Sequence, residues 1–87
     1  MKESTIERAA VKLAKERDFL TYKFVSPNNK GVPDRIFIKD GNVIFVEFKA
    51  PNKVPTTLQN HIINEMRLNG AIVHVVDNIE TMRLILC

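Results

Sequence analysis

Apolar and polar positions change period several times along the chain, and each change marks an element. Over residues 3–18, Ile6, Ala10, Leu13 and Ala14 recur at helical spacing and form one apolar stripe, which predicts an amphipathic helix. Ser4-Thr5-Ile6-Glu7 fits a capping box, with Ser4 as N-cap and Glu7 at the third helical position. Leu20 to Val25 is rich in aromatic and β-branched residues and predicts a strand. The turn formers Ser26-Pro27-Asn28-Asn29-Lys30-Gly31 predict a loop after it. Asp34 to Ile38 and Val43 to Phe48 are two strand runs joined across Asp40-Gly41, a dipeptide that signals a tight hairpin. Ala50 to Pro55 ends the second run, because Pro51 and Pro55 cannot sit in a central ladder.

Beyond that break, Thr56 or Thr57 can cap a second helix running to about Asn69, with Leu58, Ile62 and Met66 as its apolar stripe and Asn69-Gly70 as its stop. Ala71 to Val76 is nearly all apolar and predicts a strand buried on both faces. Ile79 to Leu86 fits a final helix or an edge strand, and periodicity does not decide between them. The order is therefore αβββαβ plus a short C-terminal element. That is an α/β fold with a mixed β-sheet flanked by helices, and the 87 residues are expected to form a single domain, 1–87.

Composition narrows the possibilities only a little. Thirteen Lys and Arg against ten Asp and Glu give a formal charge of +3, which suits a polyanionic partner without requiring one. The lone cysteine, Cys87, excludes an internal disulfide and a multi-cysteine zinc site, and fits a reducing cytoplasmic setting. No apolar stretch approaches the length of a membrane span, and the polar N-terminus does not read as a signal peptide. A domain of this size buries a modest share of its surface, so a second subunit could supply burial that the monomer lacks.

The hairpin carries the candidate chemistry. With Asp40 and Gly41 as the turn, Lys39 lies opposite Asn42 and, counting outward, Asp34 lies opposite Glu47. Directly opposed residues share a face of the sheet with their Cβ atoms about 5 Å apart, and Lys49, two residues past Glu47, points the same way. Two carboxylates this close repel each other unless a cation sits between them. A hard divalent ion such as Mg²⁺ takes one or two carboxylates together with water and phosphate oxygens, and a nearby lysine can steady developing charge. Metal-assisted phosphodiester hydrolysis uses these residue types at this separation. A second account stays open on geometry alone: Asp34, Glu47, Lys49 and Arg35 could form ordinary surface ion pairs.

The segments Gly31-Val32-Pro33-Asp34-Arg35 and Val46-Glu47-Phe48-Lys49-Ala50-Pro51, followed by Gln59 in the next helix, resemble the PD-(D/E)xK nuclease superfamily. More narrowly, they resemble the virus-type replication-repair nuclease domain, VRR-NUC, in its stand-alone viral or phage form, over Glu7 to about Val76. The resemblance implies a restriction-endonuclease-like fold and a metal-dependent DNA endonuclease using Mg²⁺ or Mn²⁺ and no organic cofactor. Asp34 and Glu47 would then be metal ligands, with the backbone carbonyl of Phe48 as a third. Lys49 would orient or activate the water, and Gln59 would help position that lysine or the water. Glu7 would be the first-helix acid that completes the site, although its capping box gives it another role. Lys30, Lys53, Asn28 and Arg35 flank the site as candidate DNA contacts, the lysines fitting solvated loop positions equally well. His61 reads as surface and His74 as a packed histidine. Phe19, Tyr22 and Phe24 read as core or interface.

Stand-alone members of the family resemble Holliday-junction resolvases, which implies a homodimer acting on branched or four-way DNA in the host-cell cytoplasm. A two-fold dimer with two identical sites would match the two symmetry-related strands of a junction. Met82 to Cys87 is one candidate for the dimer surface. A flap or nicking endonuclease on other branched DNA, and a non-catalytic nucleic-acid-binding module of the same fold, are the alternatives.

Overall fold

The computed structural model describes residues 1–87. Its elements are α1 (Glu3–Glu16), β1 (Leu20–Lys23), β2 (Arg35–Lys39), β3 (Asn42–Phe48), α2 (Thr57–Leu68), β4 (Ile72–Val76) and α3 (Ile79–Ile85). The four strands form one mixed sheet in the order β1-β2-β3-β4. The first three are antiparallel neighbours, and β4 runs parallel to β3 after the α2 crossover. The last element, which periodicity left open, is a helix whose first turn is capped by the Asn78 side chain accepting from the Thr81 N–H.

The hairpin forms in the expected register, Lys39 opposite Asn42 and Arg35 opposite Val46. Both turn residues have positive φ, 51° at Asp40 and 82° at Gly41, as a two-residue type I′ turn requires. Alternation along β3 then sorts its side chains. Ile44, Val46 and Phe48 join Phe37 and the α1 stripe of Ile6, Ala10 and Ala14 in the main core, closed by Val76, Met82 and Leu86. The alanines of that stripe let α1 lie close on the sheet. Val43, Phe45, Glu47 and Lys49 have the opposite parity, on the face where α2 packs over β4 through the buried Ile63 and Val73.

Two expectations are corrected. Glu3, not Ser4, opens α1; Lys2 is the N-cap and no side chain caps the helix, so the Ser4/Glu7 capping box does not form. The capping box of this protein lies instead at α2, between Thr56 and Gln59. The last strand is not buried on both faces, because it is a sheet edge and Ile72 and Val75 remain partly exposed. The aromatics expected as core or interface divide between buried and exposed positions: Phe19 is buried, Phe24 packs on Phe45 with ring centroids 5.3 Å apart, and Tyr22 stands exposed.

Candidate active site

The site lies where β2 begins and β3 ends, and its geometry follows from the hairpin register. Asp34 continues the ladder one residue beyond β2, its N–H bonding to the Val46 carbonyl at 3.0 Å. Its Oδ2 accepts from the Phe48 N–H at 2.8 Å, which ties the carboxylate to the neighbouring strand. Glu47 is only 2 % exposed, an unusual position for a carboxylate in a small domain. Its Oε2 accepts from Gln59 Nε2 at 3.1 Å and lies 3.3 Å from Lys49 Nζ. Its Oε1 is buried without a hydrogen-bond partner.

Glu3, at the start of α1, reaches the same point. Ligand oxygens of Glu3, Asp34 and Glu47 lie within 4.8 Å of one another. Burial, and secondarily the charge of Asp34, push the Glu47 carboxyl up to about 7, while Lys49 pulls the other way. Burial also raises Asp34, with the Phe48 N–H opposing it and the Glu7 charge adding to it. Three carboxylates face one lysine. The local excess of negative charge suits a hard divalent ion, which would take oxygen donors of this kind.

Glu7, expected to complete this cluster, is held elsewhere. It accepts from Arg35 Nε at 2.8 Å and pairs with Lys23 Nζ at 2.7 Å. Burial alone would raise its carboxyl, but the two cations outweigh burial and hold it below the ordinary range. Glu3 lies one turn earlier at i−4, on the same helical side, and takes the expected place. Helical spacing alone does not choose between the two acids, because residues i and i+4 share one face of the helix. Arg35, a candidate DNA contact, also lies away from this cluster. Strand alternation turns it to the α1 face, where it is largely buried against Glu7 and Thr21. Lys30, Lys53 and Asn28 are exposed on the loops that precede and follow the site strands. Gln59 and Lys49, which the resemblance set near one another, both contact Glu47 Oε2.

An α/β domain with this strand order and carboxylates at the open end of its central hairpin has the PD-(D/E)xK architecture. Comparison with solved structures makes the type more specific. The chain superposes on a protein described as a "VRR_NUC domain" with a TM-score of 0.89 and 25% identity, covering 99% of this chain and 95% of that one. The chain therefore has the fold of that VRR-NUC domain. It is also 43% identical over 60 residues to "Putative nuclease p44" of Acyrthosiphon pisum secondary endosymbiont phage 1, a match covering 68% of this chain and 64% of that protein. The match thus spans less than two thirds of the phage protein's length. No family model matches the chain.

Proposed function

We propose that this domain is a divalent-metal-dependent DNA endonuclease in which Asp34, Glu47 and Glu3 hold the ion and Lys49 serves the attacking water. The observation that carries this reading is the unpartnered Oε1 of Glu47, buried beside two further carboxylates. A buried carboxylate oxygen with no donor costs stability unless something fills the position, and a hard cation is the partner its chemistry asks for. The donor set fits Mg²⁺ or Mn²⁺, and no cysteine or histidine belongs to it.

Asp34 and Glu47 each have one oxygen engaged by the protein and one to spare. The Phe48 N–H occupies Asp34 Oδ2, and Gln59 with Lys49 occupies Glu47 Oε2. The N–H and C=O of a strand residue point the same way, so the Phe48 carbonyl is a candidate further ligand on the Asp34 side. A divalent ion there would acidify a water and neutralise charge growing on the phosphodiester. Lys49 keeps two N–H donors beyond its Glu47 contact, enough to orient that water and stabilise the phosphate oxygen it meets. Lys30, Lys53 and Asn28 would contact phosphates on either side.

A four-way junction is the proposed substrate and a homodimer the proposed active form, working in a host-cell cytoplasm as the phage relative suggests. No helix is long and apolar enough to cross a membrane. Support for the dimer comes from the sheet face that α2 leaves uncovered. There Leu20 and Tyr22 are 57% and 58% exposed and Val43 42%, beside the partly exposed Ile36, Ile38 and Phe45. This patch carries no charged side chain, so two copies can meet across a two-fold axis without opposing like charges. The C-terminal segment is a poorer candidate, because Met82 and Leu86 are already buried in the core and only Leu84 stands well exposed.

Junction, flap, nicked and linear duplexes incubated with the protein and Mg²⁺ or Mn²⁺ test the function. The expected result is junction cleavage that EDTA and Asp34→Ala both abolish; Asp34→Ala cutting at the parent rate refutes the mechanism. Preferred cutting of flaps or nicks selects that substrate instead, and no cutting with either ion selects a binding module. Sedimentation should show a dimer that Tyr22→Glu converts to monomer; a monomeric parent removes the two-site argument.

A further inference from the structure

Gln59 makes two side-chain hydrogen bonds that pull in different directions. Its Oε1 accepts from the Thr56 N–H at 2.9 Å, and its Nε2 donates to Glu47 Oε2 at 3.1 Å. The Thr56 hydroxyl in turn accepts from the Gln59 N–H at 3.1 Å, closing the capping box of α2. Only one orientation of the amide satisfies both ends, because an amide nitrogen cannot accept from the Thr56 N–H and an amide oxygen cannot donate to a carboxylate. A capping box works equally well with Glu or Gln at its third position. Glu would set a second carboxylate against Glu47, so the box alone does not account for the amide. The site does.

We propose that Thr56 is a positioning residue of the active site: its capping box holds the Gln59 amide with the NH₂ end toward Glu47, which occupies one Glu47 oxygen and leaves the other free for the metal. A helix terminus therefore determines how the carboxylate is presented. Thr56 touches neither metal nor substrate and acts through Gln59. Outer contacts of this kind, orienting a ligand through a hydrogen bond, typically alter metal affinity by about 10–100-fold. The inference rests on the reading of Glu47 as a metal ligand.

The test is Mn²⁺ binding measured directly, by calorimetry or by the spin resonance of free Mn²⁺, together with thermal melting. It uses a cycle of parent, Thr56→Val, Gln59→Met and the double variant. Thr56→Val should weaken Mn²⁺ binding about tenfold, and Thr56→Ser should restore it to within about twofold of the parent. In the Gln59→Met background, Thr56→Val should leave Mn²⁺ affinity unchanged while lowering the melting temperature as it does in the parent, since its bond to the residue 59 N–H is lost in both. Equal losses of affinity in the two backgrounds would show a general effect of helix fraying and overturn the proposal, as would an unchanged affinity in Thr56→Val. Coupled binding of Mn²⁺ without cleavage of any DNA would refute the nuclease reading and leave this inference standing; a parent that binds no Mn²⁺ refutes both.

Discussion

Two clusters of charge sit within one turn of α1 of each other, and they are built on opposite principles. Around Glu7, a single carboxylate meets Lys23 and Arg35 and its charge is more than balanced. Around Glu47, three carboxylates share one lysine, and one buried oxygen has no partner. The first arrangement is what a fold does with charge it must tether. The second holds unbalanced charge at a buried position, which stability alone would select against. The pKa shifts separate the clusters in the same way: Glu7 is lowered by its cations, and Glu47 is raised by burial and by Asp34. A sequence motif contains both kinds of acid, and the balance of partners tells them apart.

The largest expected effect comes from removing the unbalanced charge. Glu47→Gln should reduce cleavage by at least about a thousandfold, a loss typical of removing a group that stabilises the transition state. The same variant should melt higher than the metal-free parent at pH 8, because a repelled, buried charge has gone. A lower melting temperature would mean that Glu47 is a structural acid like Glu7.

Exchanging the roles of the α1 acids gives a smaller effect. Glu3→Gln should weaken Mn²⁺ binding by about tenfold with little change in melting, whereas Glu7→Gln should leave binding within about twofold. The cost of Glu7→Gln should be in stability, about 1–2 kcal/mol by denaturant titration, since the largely buried Arg35 loses its acceptor. The opposite pattern, with Glu7 governing metal affinity, would restore it to the site.

The pH dependence of stability offers the subtlest distinction. Glu47 binds its proton more tightly folded, at about 7, than at the ordinary value of 4.5 in the unfolded chain. Its contribution is therefore full below 4.5 and lost as pH rises through 7, amounting to at most about 3 kcal/mol in the metal-free protein. Glu7 has the opposite sign: its contribution is present above the unfolded value and lost as pH falls through its lowered folded one. Melting measured against pH without metal should show the neutral slope flatten in Glu47→Gln and the acid slope flatten in Glu7→Gln. Unchanged neutral slope in Glu47→Gln would count against the buried, unbalanced carboxylate.

Much of this arrangement was determined by local sequence. A type I′ turn at Asp40-Gly41 fixes the register by itself, and register fixes which side chains are opposed; Asp34, Glu47 and Lys49 could therefore be brought together from spacing alone. Helix periodicity located α1 and α2, and capping chemistry placed the start of α2 at Thr56 or Thr57. Tertiary structure decided the rest, because each remaining question concerned groups far apart in the chain. Whether Glu3 or Glu7 joins the strand acids depends on where α1 crosses the sheet, and Arg35 was claimed by Glu7, 28 residues away. Exposure of Ile72 and Val75 follows from β4 being an edge, which an apolar run cannot announce. The free oxygen of Glu47 is likewise a property of the assembled site: the sequence supplies a carboxylate, but only packing removes water from it and allots its partners.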